Sequence, residues 1–165
     1  NVKNLEKYLN SILKICEIVS NQKMKLVIKL HPTLDILDIS KTIQKKFPNI
    51  QVIEKGDINP LIRKCSCLIV TGFSTVIVQG QILQKPVISI PLIDYNWGKP
   101  SVYTENSCLL IKLEELNTNL KKIHNDPNFK DELIRSGNKF LNNCFKNKHD
   151  SSKVIWDYIK NMSIN

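Results

Sequence analysis

The residues best suited to chemistry are two that carry hydroxyl groups and closely follow an apolar run. Residues 68–70 read as a buried strand of a parallel sheet, and Gly72 follows where the chain must turn. Ser74 and Thr75 then stand where the next helix should begin. Hydroxyls and free N–H groups at a helix start can bind an anion such as a phosphate. The same hydroxyls can also serve only as helix caps, and both interpretations stay open here.

A second candidate group is the imidazole of His31. Residues 24–30 are nearly continuously apolar and predict the first strand, and His31-Pro32 follows at once. Because proline cannot continue a strand ladder, His31 is expected at the carboxyl end of that strand. An imidazole there can donate a hydrogen bond to a phosphate oxygen. A lone histidine at a strand end is more often structural than catalytic. The phosphate-binding interpretation of His31 therefore depends on the hydroxyls of Ser74 and Thr75, which are expected at the same edge of the sheet.

The elements that position these groups follow from the spacing of apolar residues. Helices are predicted at 2–20, 36–47, 59–64, from 74 to about 84, and at 113–125, 128–145 and 151–162. Strands are predicted at 24–30, 50–53, 68–70, 87–90 and 108–111, with an irregular loop at 91–103. This alternation predicts an α/β fold, in which a parallel sheet of about five strands is covered on both faces. Ligands of such sheets bind beyond the carboxyl ends of the strands, where both candidate groups are expected.

Other polar residues near that edge are weaker candidates for ligand binding or catalysis. The loop at 91–103 holds Asp94, Tyr95 and Trp97, and it either lines a ligand or covers the edge of the core. Asp35, Asp57 and Asp94 are more typical of turns or caps than of catalytic bases.

Composition narrows the classes of partner. The chain has 165 residues, enough for one globular domain over residues 1–165. Its formal net charge of +9 favours an anionic partner, although a solvated lysine-rich surface is the default explanation of that charge. The lysines are spread along the chain, and no basic strand rich in aromatic residues suggests nucleic-acid binding. Peripheral association with a membrane surface stays open. No run approaches the roughly 20 apolar residues of a membrane span and no signal peptide is visible, so a cytoplasmic location is expected.

Metal and cofactor sites are not predicted. The five cysteines include no CxxC pair, and we expect buried free thiols in a reducing compartment. The chain has neither a GxGxxG sequence nor a Walker loop, and the segment around Ser74 lacks the second glycine of a GxSxG elbow.

Three segments together resemble the carboxy-terminal half of a GT-B glycosyltransferase. They are Lys29-Leu30-His31-Pro32, Gly72-Phe73-Ser74-Thr75-Val76 and Lys85-Pro86-Val87-Ile88. The resemblance is greatest to the capsule polysaccharide and teichoic-acid polymerase group, which includes bacterial polysialyltransferases and CDP-glycerol glycerophosphotransferases. Asp150-Ser151-Ser152 is also similar to the start of that group's final helix. The resemblance covers roughly residues 25–159.

This resemblance implies a Rossmann-like three-layer domain that binds a nucleotide-activated sugar or polyol phosphate for surface polysaccharide synthesis. It implies donor contacts from His31, Pro32, Gly72, Ser74 and Thr75, with His31 also catalytic. The same proteins often hold the ribose with a glutamate, where this chain has Gln79.

The resemblance also implies a partner domain. An amino-terminal half would present the acceptor and the general base, so the chain is expected to belong to a longer two-domain protein and not to complete a transfer alone. A related half-fold occurs in UDP-N-acetylglucosamine 2-epimerases. An epimerase-like domain and a non-catalytic binding module of the same fold therefore remain alternatives.

Overall fold

The computed structural model describes residues 2–31, 38–92, 98, 100–145 and 150–162. The helices are α1 Val2–Asn21, α2 Ile39–Lys46, α3 Asn59–Lys64, α4 Val76–Ile82, α5 Ser101–Thr104, α6 Leu116–Asn125, α7 Pro127–Cys144 and α8 Ser151–Met162. The strands are β1 Val27–Lys29, β2 Gln51–Ile53, β3 Leu68–Val70, β4 Val87–Ser89 and β5 Leu109–Leu110. The predicted alternation of helices and strands is therefore confirmed.

The strands form two parallel sheets. β1 pairs with β2, and Ile28 lies opposite Val52. The second sheet has the order β3-β4-β5, and Ile69 lies opposite Ile88. Within the described ranges no ladder joins the two sheets. The fold is thus α/β with parallel strands, arranged as sheets of two and three strands.

One large core nevertheless includes residues of both sheets. Buried side chains of α1, α2, β4 and α6 form this cluster, and partly buried Ile28 and Val52 pack against it. The amphipathic pattern of α1 explains its place there, because Ile12, Cys16 and Val19 recur at helical spacing. A smaller cluster lies among β3, β4, α4, α5 and α7.

Several element boundaries differ from the expected ones. The loop predicted at 91–103 ends earlier, because α5 already begins at Ser101, after Pro100. The helix predicted at 113 begins with a 3-10 turn, Leu113–Glu115, in which the Glu115 carboxylate accepts from the N–H of Lys112 at 2.8 Å. α7 starts at Pro127 because Asp126 caps it, with its carboxylate accepting from the N–H of Phe129 at 3.0 Å.

The start of the second helix also differs. α2 begins at Ile39, after Asp38, whose φ of 44° is left-handed and therefore not helical. The predicted residues 36 and 37 lie outside the described part of the chain.

The position of α4 depends on Gly80. A Cβ placed on Gly80 would lie 2.6 Å from Leu68 Cδ2 and 2.9 Å from Val87 Cγ2. The helix therefore lies so close to β3 and β4 that glycine alone fits without a shift. Gly72 is different, because nothing lies within 4 Å of a Cβ placed there.

We predict that Gly80→Ala lowers the free energy of unfolding by about 1–2 kcal/mol, because the added methyl group overpacks the contact with Val87, which is buried and β-branched. Gly72→Ala is the matched control and should change stability by less than about 0.5 kcal/mol. Urea unfolding measures both. Equal stability of the two variants would contradict the close packing of α4.

Candidate functional site

The loop between β3 and α4, residues 71–75, is held at its base on two sides. The N–H of Ile90 donates to the carbonyl of Val70 at 2.8 Å, which extends the pairing of β3 with β4 to the start of the loop. The hydroxyls of Thr71 and Tyr8 are hydrogen-bonded at 3.0 Å, which ties the loop to α1. The loop therefore starts from a constrained position.

Ser74 acts as a local cap, as the structural interpretation of this residue predicted. Its Oγ accepts from the N–H of Val76 at 3.3 Å, and its carbonyl accepts from Ile77 at 3.1 Å. Since the oxygen is the acceptor in the first bond, the hydroxyl proton can still be donated to a ligand. Thr75 is exposed, and its side chain makes no capping bond.

The backbone of the loop offers further donors. Among the residues that the structure describes, no carbonyl accepts from the N–H groups of Phe73, Ser74 or Thr75. Open space adjoins Gly72, so a ligand can approach the main chain closely at that point. Consecutive N–H groups of this kind suit an anion.

A pair of aromatic rings flanks the loop. Phe73 is 49% exposed, and its ring meets that of Tyr103 in a T-shaped contact with centroids 6.2 Å apart. Tyr103 OH is hydrogen-bonded to Ser89 Oγ at 2.8 Å, and Ser89 Oγ lies 3.5 Å from the carbonyl of Gly72, to which it donates. This chain of contacts connects β4 and α5 to the loop.

Sequence reasoning missed Ser89 and Tyr103. Ser89 is fully buried, although it follows Val87 and Ile88 in an apolar strand. A hydroxyl inside such a run must find a hydrogen-bond partner, and that was the available signal.

His31 lies where the sequence predicted. The N–H of Leu30 donates to the carbonyl of Ile53 at 2.9 Å, so the ladder between β1 and β2 reaches the residue before His31. The His31 side chain is exposed. The Lys29 ammonium lies at the same end of the sheet and donates to the carbonyls of Leu30 and Glu54 at 3.0 and 2.9 Å.

The candidate residues thus fall into two groups. Gly72, Ser74 and Thr75 belong to one loop, whereas His31 follows β1 in the other sheet. Pro32 lies outside the described residues, as do Asp35, Asp94, Tyr95 and Trp97. The shared pocket for His31 and the hydroxyls stays a prediction.

Gln79 borders a cavity that the residues of the β3–α4 loop do not line. With Asp57, Asn59 and Arg63 it lines a cavity of about 390 Å³ between α3 and α4. Its Oε1 is buried, and no partner for it occurs among the described residues. The Asp57 carboxylate accepts from both nitrogens of Asn59 at 3.0 Å, as expected for a turn residue.

Burial keeps three of the five thiols protonated. Burial raises the pKa of Cys16 to about 11 and the pKa of Cys67 and of Cys108 to about 12, so all three stay protonated at neutral pH. All five cysteines are free, but only Cys16 and Cys108 are buried, whereas Cys65 and Cys67 are half-buried and Cys144 is exposed. This corrects the expectation of buried thiols.

The described ranges also bear on metal binding and on membrane insertion. They contain no group of three or more His, Cys, Asp or Glu side chains that could hold a metal ion. No helix in them is both long enough and apolar enough to cross a bilayer.

Comparison with known proteins finds no family model that matches the chain and no curated protein that matches it significantly. The likeness to GT-B glycosyltransferases therefore depends on the short segments around His31, Ser74 and Pro86.

We predict that Tyr103→Phe lowers the free energy of unfolding by about 1 kcal/mol at neutral pH, because the hydrogen bond to Ser89 is lost. Tyr158→Phe, which removes an exposed hydroxyl, is the control and should have no effect. Chemical unfolding measures both. Similar losses in the two variants would contradict a structural role for the Tyr103 hydroxyl.

The same variant tests a pH dependence. Burial raises the pKa of Tyr103 above its usual value, and the hydrogen bond with Ser89 opposes this only in part. The unfolded chain therefore loses this proton first, and stability falls as the pH rises above about 10. Tyr103→Phe should remove that part of the alkaline loss. An unchanged alkaline loss would contradict the burial of this hydroxyl.

Proposed function

We propose that the chain is the donor-binding domain of a glycosyltransferase-type enzyme, and that it binds a nucleotide-activated sugar or polyol phosphate. In this proposal the two sheets are parts of one Rossmann-like sheet of five strands, whose carboxyl edge carries the site. The enzyme would be cytoplasmic and would act in surface polysaccharide synthesis. The parallel pairing of all five strands supports the fold, and the three sequence segments support the family.

The observation that carries the proposal is the set of donors in the β3–α4 loop. Three successive N–H groups, from Phe73 to Thr75, have no acceptor in the described protein, and the Ser74 hydroxyl keeps a proton to donate. Gly72 leaves the main chain accessible beside them. A diphosphate has several oxygens that accept such bonds, and bonds to charged oxygens are about twice as strong as neutral ones.

His31 would supply the second set of contacts. It follows the last pair of the β1–β2 ladder, and the Lys29 ammonium belongs to the residue two positions before it. In the transfer, the bond from the activated carbon or phosphorus to the departing phosphate breaks, and a bond to an acceptor hydroxyl oxygen forms. His31, Ser74 and Thr75 would stabilise the negative charge that the departing phosphate gains. The acceptor's proton would pass to a base in a partner domain.

A second candidate function is a non-catalytic binding module of the same fold. Gln79 favours it, because its Oε1 is buried and therefore not presented to a ribose. A module of this kind would bind the nucleotide without consuming the activated donor. Turnover of a nucleotide-activated donor by the full-length protein would exclude it.

Nucleotide titration tests the proposal. Uridine or cytidine diphosphate at about 100 times its Kd should stabilise the protein by about 2.7 kcal/mol, which raises Tm by roughly 5–10 °C for a chain of this size. Ser74→Ala should weaken the affinity about tenfold, because a hydrogen bond to a charged oxygen is lost. Differential scanning fluorimetry gives both quantities.

The matched control is Ser101→Ala, which removes an exposed hydroxyl at the start of α5. It should leave the affinity for the diphosphate unchanged. The nucleosides without phosphate should bind much more weakly than the diphosphates. The proposal fails if no diphosphate raises Tm, or if Ser74→Ala and Ser101→Ala behave alike.

A further inference from the structure

The last helix presents a continuous apolar face to solvent. Every residue of α8 is exposed, including Val154, Ile155, Tyr158 and Met162. These four recur at i, i+1, i+4 and i+8 and so share one face of the helix. Ile155 is 59% exposed and Met162 is 64% exposed, although both are large apolar side chains.

An apolar face of this kind is normally packed against another surface. None of the large side chains of α8 belongs to either core cluster of the described chain. Helices of about 12 residues are marginal in water by themselves, and burial of an apolar face usually supplies their stability. The helical periodicity of the apolar residues in this segment therefore indicates that another surface packs against it.

The charges and aromatic rings of α8 indicate which surface that is. The opposite side of the helix carries Lys153 and Lys160 with one acid, Asp157, and the whole chain has a net charge of +9. The Lys160 ammonium lies 5.3 Å from the centre of the Trp156 ring. Trp156 and Tyr158 are the residue types that favour the boundary between lipid headgroups and acyl chains.

We propose that α8 binds the surface of a membrane that contains anionic lipids. The helix lies in the plane of the interface, with Ile155, Tyr158 and Met162 inserted among the upper acyl chains. Lys153 and Lys160 face the headgroups, where they attract phosphate and carboxylate groups. This inference does not depend on the nucleotide site.

A second copy of the chain fits this face less well. A helix of 12 residues is about 18 Å long, and a stable interface needs roughly 800 Å² from each partner. α8 alone offers one narrow stripe, whereas a bilayer covers the same stripe without a matching protein surface.

Vesicle flotation of the full chain tests the proposal. We compare vesicles of phosphatidylcholine with vesicles in which about one third of the lipid is phosphatidylserine. The chain should bind the anionic vesicles at least tenfold more strongly. In a Trp97→Phe variant, Trp156 is the sole tryptophan, and its emission should shift to shorter wavelengths with the anionic vesicles.

Two matched double variants separate the apolar face from bulk charge. The first double variant, Ile155→Glu with Met162→Glu, places two carboxylates on the apolar face of α8. The second, Ser152→Glu with Asn161→Glu, adds the same charge to α8 but away from the centre of that face. The first pair should abolish binding, and the second should weaken it only a few-fold. Both should keep the Tm of the parent chain, because the substituted residues are exposed.

Three results would overturn the proposal. One is the absence of binding to either kind of vesicle, and another is an equal loss of binding in both double variants. The third is a dimer in sedimentation velocity without lipid that only the first double variant dissociates, since a second copy would then cover α8.

Discussion

The close approach of α4 to β3 and β4 determines the geometry of the candidate site. Gly80 permits this approach, because Leu68 and Val87 occupy the space that a Cβ would need. With the helix held against the sheet at that point, the residues between Val70 and Val76 have only a short path from strand to helix. The turn does not itself require a glycine, because the φ of Gly72 is not positive and nothing lies within 4 Å of a Cβ placed there. The N–H groups that follow Gly72 are left without partners in the described chain. The site is therefore a consequence of packing as much as of its polar residues.

Buried polar groups hold the surroundings of the loop in place. Gln81 is almost fully buried, and its Nε2 donates to the carbonyl and the hydroxyl of Ser107 at 3.0 and 2.9 Å. This pair joins α4 to the segment before β5, on the side where Gly137 of α7 leaves room for Gln81. Ser89 and Tyr103 join β4 to α5 beside the loop. In a dry interior such bonds are costly to leave unmade, so they favour one arrangement of helices around the sheet.

Much of the fold followed from local pattern, and the remainder depended on contacts distant in sequence. The periodicity of α1 and the apolar run of β3 each predict their element, and the structure has β3 at the predicted residues, Leu68–Val70. The start of α7 was predicted to within one residue, near Asn128, and the Asp126 cap, which the sequence analysis did not recognise, sets it at Pro127. No sequence pattern could show that Gln79 lines a cavity with Arg63, or that the strands form two ladders, since both depend on how separate elements pack. The position of His31 was predictable because Pro32 limits where the strand can end.

We propose that the β3–α4 loop and His31 form one anion site. Backbone ¹⁵N–¹H spectra during titration with uridine or cytidine diphosphate test this proposal, because each N–H reports its own surroundings. We expect the largest shifts at Phe73, Ser74 and Thr75, with a parallel change in the imidazole signals of His31. Shifts confined to the groove between α1 and α6, which Lys14, Lys23 and Lys121 line, would contradict the claim.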